Sequence, residues 1–499
     1  MPFATLFTAI LFSFSGWAQS PQGWSATDVD LNLLNSFFSN SLCRSQPKYR
    51  EACSNALHSA EDWVGQPQDQ ARISDDFDFE KKLAQLREKL SPEIPPQMLW
   101  GKVINRVLST FDAHAYLRPL REPLTAEEKS YVGTGFTAFQ GTKGYLVNEI
   151  YRRSPAQAAG LAIGDRITAI ADEGHELETV INRSPEEVQH RLHGARGSVV
   201  QVAVIRQTGS RETLKLTRET QKREVIDYHL FPQDSEVGYI RLRSFIPSLS
   251  CEGVKEGVRS LMQQGAKRLI LDLRQNVGGS MLEGVCVSGL FTGARDQVGT
   301  LNSPLSIPRA DLVHVFEQSP GIHWIQGFSL APLTVPLALL IDHRSASSAE
   351  IVAGVLQIYG AAWVIGRRSF GKGTAQTVEV VEGHPSLQIA ATSALVFLPN
   401  HLSNQRVGIT PSFDEPLTQD PPDGELLIER ESELHPNAVA AQNLPWEDER
   451  QDQIKAIRNC IDEHHWDQFY LRRLGYANGD YQRAFAAAVL KCESENNTR

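Results

Sequence analysis

Apolar positions along residues 223–416 recur with two periods. Short unbroken runs, Leu269-Ile270-Leu271 and Leu337-Ala338-Leu339-Leu340-Ile341, read as buried strands, whereas Ile351, Val352, Val355, Leu356 and Tyr359 fall at helical spacing. Strands and helices therefore alternate through this stretch, which predicts an α/β core over 223–416. Residues 27–125 read as mainly helical, with an amphipathic stretch over 79–90 and a second helix over 99–108. Between these regions, residues 131–220 carry glycine turns and close on strands near 199–206 and 213–217. Pro411, Pro416, Pro421 and Pro422, with acidic neighbours, predict a linker. Residues 430–499 form a C-terminal helical region, rich in helix formers over 446–490 and broken near 475–479. There is no internal repeat and no low-complexity tract.

At 499 residues the chain exceeds what one core supports, so several domains are expected. A formal net charge of −10, without a basic stripe interleaved with aromatics, argues against nucleic acid as a main partner. Residues 1–18 read as a signal peptide: an apolar run to Phe14, then a small-x-small site ending at Ala18, although the start carries no Lys or Arg. No second apolar run is long enough to span a bilayer, so stable membrane insertion is not expected. The six cysteines lie as neighbours, Cys43 with Cys53, Cys251 with Cys286 and Cys460 with Cys492. An even count in an exported chain suggests disulfides, and the localisation expected is periplasmic or extracellular. Connectivity stays open, and Cys251 and Cys286 are equally readable as buried free thiols. No cysteine has metal-ligand spacing with histidine, so no metal site is expected, and the serine/lysine chemistry considered below requires no cofactor.

Three segments carry candidate chemistry. Arg344-Ser345-Ala346-Ser347-Ser348-Ala349-Glu350 follows the buried strand and opens the helix, where first-turn amides and the positive dipole end can stabilise an oxyanion. Ser369-Phe370-Gly371-Lys372-Gly373-Thr374-Ala375-Gln376 holds a lysine between glycines and leads to a strand at Thr377, Val378, Val380 and Val381. A buried, neutral lysine can take a serine proton, and burial would come from Phe370 and that strand. Asp272-Leu273-Arg274-Gln275-Asn276-Val277-Gly278-Gly279-Ser280 ends a strand in a glycine pair suited to close backbone approach. Each has a plain alternative: capping serines, a solvated strand lysine and a tight turn. The stretch Gly366 to Lys372 imitates a phosphate-binding loop, but Gly373 stands where Ser or Thr would hold magnesium.

Taken with Val237-Gly238-Tyr239-Ile240-Arg241-Leu242 and Phe245, these segments resemble the carboxy-terminal processing, or tail-specific, serine proteases. The resemblance implies a crotonase/ClpP-like α/β protease core. It implies Ser347 as nucleophile, Lys372 as base, Gln376 as the residue orienting the lysine, and oxyanion donors from the amides of Ser348 and of Gly278 or Gly279. The chain departs from the family pattern at Ser348-Ala349, where the small residues are exchanged. Ile358 stands where some members carry an aspartate, and Arg367 where an acidic residue is common. Arg367 and Arg368 would help depress the lysine if they lay near it; otherwise they are a solvated loop. Asp112-Ala113-His114-Ala115-Tyr116 resembles a family segment with Pro and Ser both replaced by Ala, and a structural role is expected for His114.

Residues 131–220, with Gly133-Thr134-Gly135-Phe136, Ser154-Pro155-Ala156, Ala159-Gly160-Leu161 and Gly164-Asp165, resemble a bacterial-type PDZ domain. That implies strand addition by a peptide whose terminal carboxylate is cradled by Gly133, Thr134, Gly135 and Phe136. The fold expected is thus multidomain: an α/β core carrying an inserted α+β PDZ domain, with helical N- and C-terminal segments. The expected activity is that of an exported serine endopeptidase acting on unfolded or extended polypeptides with free C-terminal tails. The rival is a non-catalytic PDZ adaptor that keeps the protease fold. Homo-oligomerisation is left open.

Overall fold

The computed structural model describes parts of 101–119, nearly all of 130–302, residues 323–326, 332–381, 384–415, 430–435, 448–466 and 480–496. The signal peptide expected at 1–18, all but Gln85 of the 79–90 stretch, Cys43 and Cys53, the prolines at 416, 421 and 422, and the break expected at 475–479 lie outside those residues.

The PDZ domain is an insertion. Strand β1 (Tyr116–Pro119) belongs to a core sheet, and the chain then departs through β2 (Ser130–Gly133). The PDZ elements follow as β3 (Phe136–Gly141), β4 (Gly144–Ile150), α1 (Pro155–Ala158), β5 (Arg166–Asp172), β6 (Glu178–Thr179), α2 (Pro185–Leu192), β7 (Val199–Ile205) and β8 (Arg211–Thr217). The chain returns through β9 (Glu219–Lys222), which pairs with β2 to form the two-stranded stalk of the insertion. The PDZ sheet runs β3-β4-β5-β7-β8, with β6 on β5, so β3 is an edge. In β7, Val200, Val202 and Val204 point inward and their neighbours outward, a period of two that gives the sheet one buried face. Ser154 caps α1 through a hydroxyl that accepts from the Gln157 amide, with Pro155 at the first helical position.

The core begins with the antiparallel pair β10 (Ile226–Phe231) and β11 (Asp234–Leu242), followed by α3 (Ser250–Gln263), β12 (Arg268–Asp272) and α4 (Met281–Thr292). It continues through β13 (Asp296–Asn302), β14 (His323–Gln326), β15 (Leu337–Ile341), α5 (Ser348–Ile358), β16 (Trp363–Gly366), β17 (Thr374–Val381), β18 (His384–Phe397) and β19 (Phe413–Asp414). One sheet has the order β10-β11-β12-β15-β16-β19 and is parallel from β11 onward. The other runs β1-β18-β13-β14, with β17 also on β18.

The parallel sheet is apolar on both faces because both are covered. Leu269, Leu271, Leu339 and Ile341 pack with Val254, Val285, Val352 and Val355 of α3, α4 and α5. The opposite face, including Ile270, Ala338, Leu340, Ile365 and Phe413, is covered by the tail. After α6 (Glu431–Leu434), α7 (Gln451–Glu463) and α8 (Tyr481–Asn496) lay Ile457, Ile461, Ala484, Phe485 and Val489 on that face. The C-terminal helices are therefore a layer of the α/β core. Disulfides join Cys251 to Cys286, between α3 and α4, and Cys460 to Cys492, between α7 and α8. The free-thiol alternative for Cys251 and Cys286 is thereby set aside.

A buried charge ladder ties the three parts together. Glu149 on β4 accepts from Arg241 (3.2 Å) and Arg243 (3.1 Å) on the core, and Arg241 donates to Asp272 at 2.9 Å. Asp272 pairs with Arg274 at 2.6 Å, and Arg274 reaches Asp480 before α8 at 2.6 Å. Burial pushes the Asp272 and Glu149 carboxyls up, but the facing guanidiniums outweigh it and hold both below the ordinary range.

Candidate active site

The topology brings the three chemistry-bearing segments to one end of the parallel sheet. β12, β15 and β16 are consecutive parallel neighbours, and their carboxyl ends lead respectively into Gly278-Gly279, Ser347 and Lys372. This is the edge where open α/β sheets place their sites.

Ser347 sits at the cap position of α5 with φ 57° and ψ −118°, in the positive-φ region that costs a non-glycine residue energy. Its neighbours' hydroxyls are committed: Ser345 donates to the Leu273 carbonyl (2.8 Å) and Ser348 to the Gly279 carbonyl (3.1 Å). Ser347 makes no side-chain cap bond. The capping alternative thus describes Ser345 and Ser348 as structural serines but does not describe Ser347.

Glu350 joins serine to lysine. One carboxylate oxygen accepts both the Ser347 amide (2.9 Å) and the Lys372 amide (2.8 Å). The other accepts the Ser369 hydroxyl (2.6 Å) and the Gly371 amide (2.7 Å). Burial pushes this carboxyl up to about 7, against four donors that favour its ionised form. Sequence reasoning gave Glu350 no role. The visible signal was the Ser347-x-x-Glu350 spacing of a capping box, whose glutamate reaches back to the cap amide.

Lys372 is buried, and its ammonium Nζ donates to Gln376 Oε1 at 2.8 Å. Gln376 in turn donates to Thr374 Oγ1 (3.1 Å) and Thr392 Oγ1 (3.2 Å), and the Thr392 hydroxyl donates to Asp112 Oδ1 (2.8 Å). Burial lowers the lysine to about 8, while Glu431, Asp112 and Glu350 pull it back up. Among the described residues no arginine contributes to that shift. Arg367 turns out to Asp414 (3.1 Å) and Arg368 to Thr410 (3.4 Å), which favours the loop alternative for these two over an effect on the lysine. Much of the cover comes from the loop 403–408, which lies over the glycines. Asn404 donates to the Lys372 carbonyl (3.0 Å), and the Gly373 amide donates to Gln405 Oε1 (2.6 Å). A Cβ on Gly373 would lie 2.7 Å from the Gln405 amide nitrogen.

The glycine pair lies against the serine. A Cβ on Gly278, whose φ is 102°, would come within 2.7 Å of Ser347 Cβ. The Gly278 amide, however, donates to Asn276 Oδ1 at 2.9 Å, closing a turn. With the Gly278 amide engaged in this turn, Gly279 is the member of the pair that remains as the candidate oxyanion donor beside Ser348.

In the PDZ domain, Gly133 ends β2, buried Thr134 accepts the Ala156 amide on its carbonyl (2.9 Å), Gly135 has φ 78°, and Phe136 opens edge strand β3 within the PDZ core. A Cβ on Gly135 would meet Ser154 Cβ at 2.3 Å, so this turn requires glycine. The four residues belong to the strands and turn of the inserted domain, whereas Ser347 and Lys372 follow strands of the core sheet. Asp112 and His114, from the segment preceding β1, were not assigned chemistry, yet both reach the lysine's surroundings. His114 Nε2 lies 2.7 Å from Glu431 Oε1, and Asp112 holds the Thr392 amide at 2.6 Å.

Residues 236–414 match the model of peptidase family S41, and residues 125–205 match that of the PDZ domain. The chain is 34% identical over 272 residues to a carboxyl-terminal-processing protease of Picosynechococcus sp., covering 54% of this chain and 59% of that protein. It is 29% identical over 329 residues to a carboxyl-terminal-processing protease of Synechocystis sp., covering 63% and 71%. To the chloroplastic carboxyl-terminal-processing peptidase 1 of Arabidopsis thaliana it is 30% identical over 265 residues, covering 52% and 50%. The chain thus spans about half to three-fifths of the length of the first and last of these relatives. The S41 peptidase match over the core, the PDZ match over the insertion and the names of these relatives make the chain similar to the carboxyl-terminal-processing proteases.

Proposed function

We propose that the chain is an exported serine endopeptidase that cleaves unfolded polypeptides selected by their C-terminal tails. The observation that carries this reading is the single Glu350 oxygen shared by the Ser347 and Lys372 amides, beside a lysine that burial brings down to about 8. Ser347 Oγ attacks a peptide carbonyl while neutral Lys372 Nζ takes its proton, held in place by Gln376. The Ser348 and Gly279 amides receive the tetrahedral oxyanion. The lysine ammonium then protonates the leaving amine, and water hydrolyses the acyl-enzyme by the reverse path. No cofactor takes part in these steps.

Substrate selection is assigned to β3, whose outer edge can accept a peptide strand, and to the turn Gly133-Thr134-Gly135-Phe136, which would receive its terminal carboxylate. Export is supported by the two disulfides and by the apolar start of the sequence. The test compares an unfolded polypeptide bearing a free apolar tail with the same polypeptide amidated at its C-terminus. Amidation should lower kcat/KM about 10- to 100-fold. Equal rates would remove tail selection. Tail binding by a folded parent that never cleaves would instead favour the adaptor.

Gly278→Ala probes the close approach at the serine. Strain of roughly 1–3 kcal/mol is expected from alanine at this φ. Displacement of Ser347 should lower kcat about 100-fold in a protein whose circular dichroism is unchanged.

A further inference from the structure

His114, Glu431 and His435 meet beside the proposed site, although they come from segments far apart in the sequence. Glu431 and His435 are one turn apart on and just beyond α6, so they present side chains to the same face. His114 precedes β1 and closes the group from the other side. One ligand atom from each residue can be chosen so that all three lie within 4.8 Å of one another. Glu431 is fully buried, and its Oε2 has no hydrogen-bond partner among the described residues. A buried carboxylate oxygen left without a donor is costly unless a cation or proton satisfies it. The two histidines are half-buried, which leaves a route from solvent.

We propose that His114, Glu431 and His435 form a Zn²⁺ site. Two imidazole nitrogens and a carboxylate oxygen are a zinc donor set, with water completing a tetrahedron. Supporting contacts for the ligands are already in place. Gln405 donates to Glu431 Oε1 at 3.1 Å while holding the Gly373 amide, and Asp112 Oδ1 holds the His114 amide at 3.0 Å. Metal binding replaces the His114–Glu431 hydrogen bond, and Oε2 becomes available to the ion. Linear spacing carries no such signal: the expectation of no metal rested on the spacing of cysteines to histidines, and His114 and Glu431 lie 317 positions apart. The second cluster of similar composition, Cys460, His464 and Glu495, is not equivalent, since the Cys460 sulfur is bonded to Cys492. The ion would pin α6 to the segment before β1. Both border the lysine: the Glu431 amide donates to the Phe370 carbonyl at 3.2 Å, and Asp112 anchors Thr392 behind Gln376.

The site is independent of turnover, so the experiment reads binding. Full-length Ser347→Ala protein, stripped with chelator, is titrated with Co²⁺ and then with Zn²⁺. One equivalent of Co²⁺ should bind with the intense visible absorption of four-coordinate cobalt, and Zn²⁺ should bleach it. His435→Ala should weaken binding at least about 100-fold. Unchanged affinity in that variant, or only the pale spectrum of six-coordinate cobalt in the parent, overturns the site. Should His435→Ala fail to fold, X-ray absorption of the zinc-loaded parent decides. Two imidazoles in an all-N/O shell support the assignment, and a sulfur ligand or a shell without imidazole overturns it.

Discussion

Lys372→Ala is expected to give a folded protein whose kcat is lower by about 10²- to 10⁴-fold, the range a positioned general base supplies. The parent should show the pH signature of the same group. With the lysine lowered to about 8 by burial, kcat/KM should rise about tenfold per pH unit below that value and level off above it. The effect on stability has a defined sign. The folded-state pKa lies below the ordinary lysine value, so the unfolded chain binds more protons between about 8 and the ordinary value. The penalty for burying the cation is therefore complete below about 8 and disappears as pH rises towards the ordinary value. Lys372→Met, which keeps the volume and omits the charge, should be more stable than the parent at pH 7. That gap should shrink in urea denaturation at alkaline pH.

Glu350→Gln is the second large effect. Each carboxylate oxygen of Glu350 faces two donors, so either orientation of the amide turns an NH₂ group against N–H or O–H groups that need an acceptor. Leaving buried donors unsatisfied should cost about 3 kcal/mol. The Ser347 and Lys372 segments lose their common anchor, and kcat should fall about 100-fold or more. A urea midpoint and a kcat measured on the same preparation separate the two consequences. A Glu350→Gln protein with parental kcat would show that the shared oxygen does not position the pair.

These consequences were only partly legible beforehand, and the reason is topological. Segments at the carboxyl ends of neighbouring parallel strands announce themselves locally: a buried strand, a polar turn, then a helix or a glycine pair. Gly278-Gly279, Ser347 and Lys372 have that form, so the core and the inserted domain could be outlined from pattern and resemblance. Glu350 shows only a cap spacing in sequence, because three of its four donors come from Ser369, Gly371 and Lys372 on the far side of α5 and β16. Asp112, Glu431 and His435 reach the lysine from outside the alternating core, where no periodicity relates them to it. The choice left open for Arg367 and Arg368 has a related cause, since sequence proximity to Lys372 says nothing of direction and Arg367 turns towards Asp414 after β19. The role of the C-terminal helices was likewise hidden. Ile457, Phe485 and Val489 look like an ordinary amphipathic tail until the uncovered face of the parallel sheet supplies what they pack on.

The central claim is that Ser347 is the nucleophile. Cleavage of an unfolded polypeptide with an apolar C-terminal tail should be measured side by side for the parent and for Ser347→Ala, with folding and tail binding checked in both. The account predicts cleavage by the parent and a loss of at least about 10⁴-fold in the variant, with tail binding retained. A folded Ser347→Ala protein that cleaves at the parental rate would contradict it.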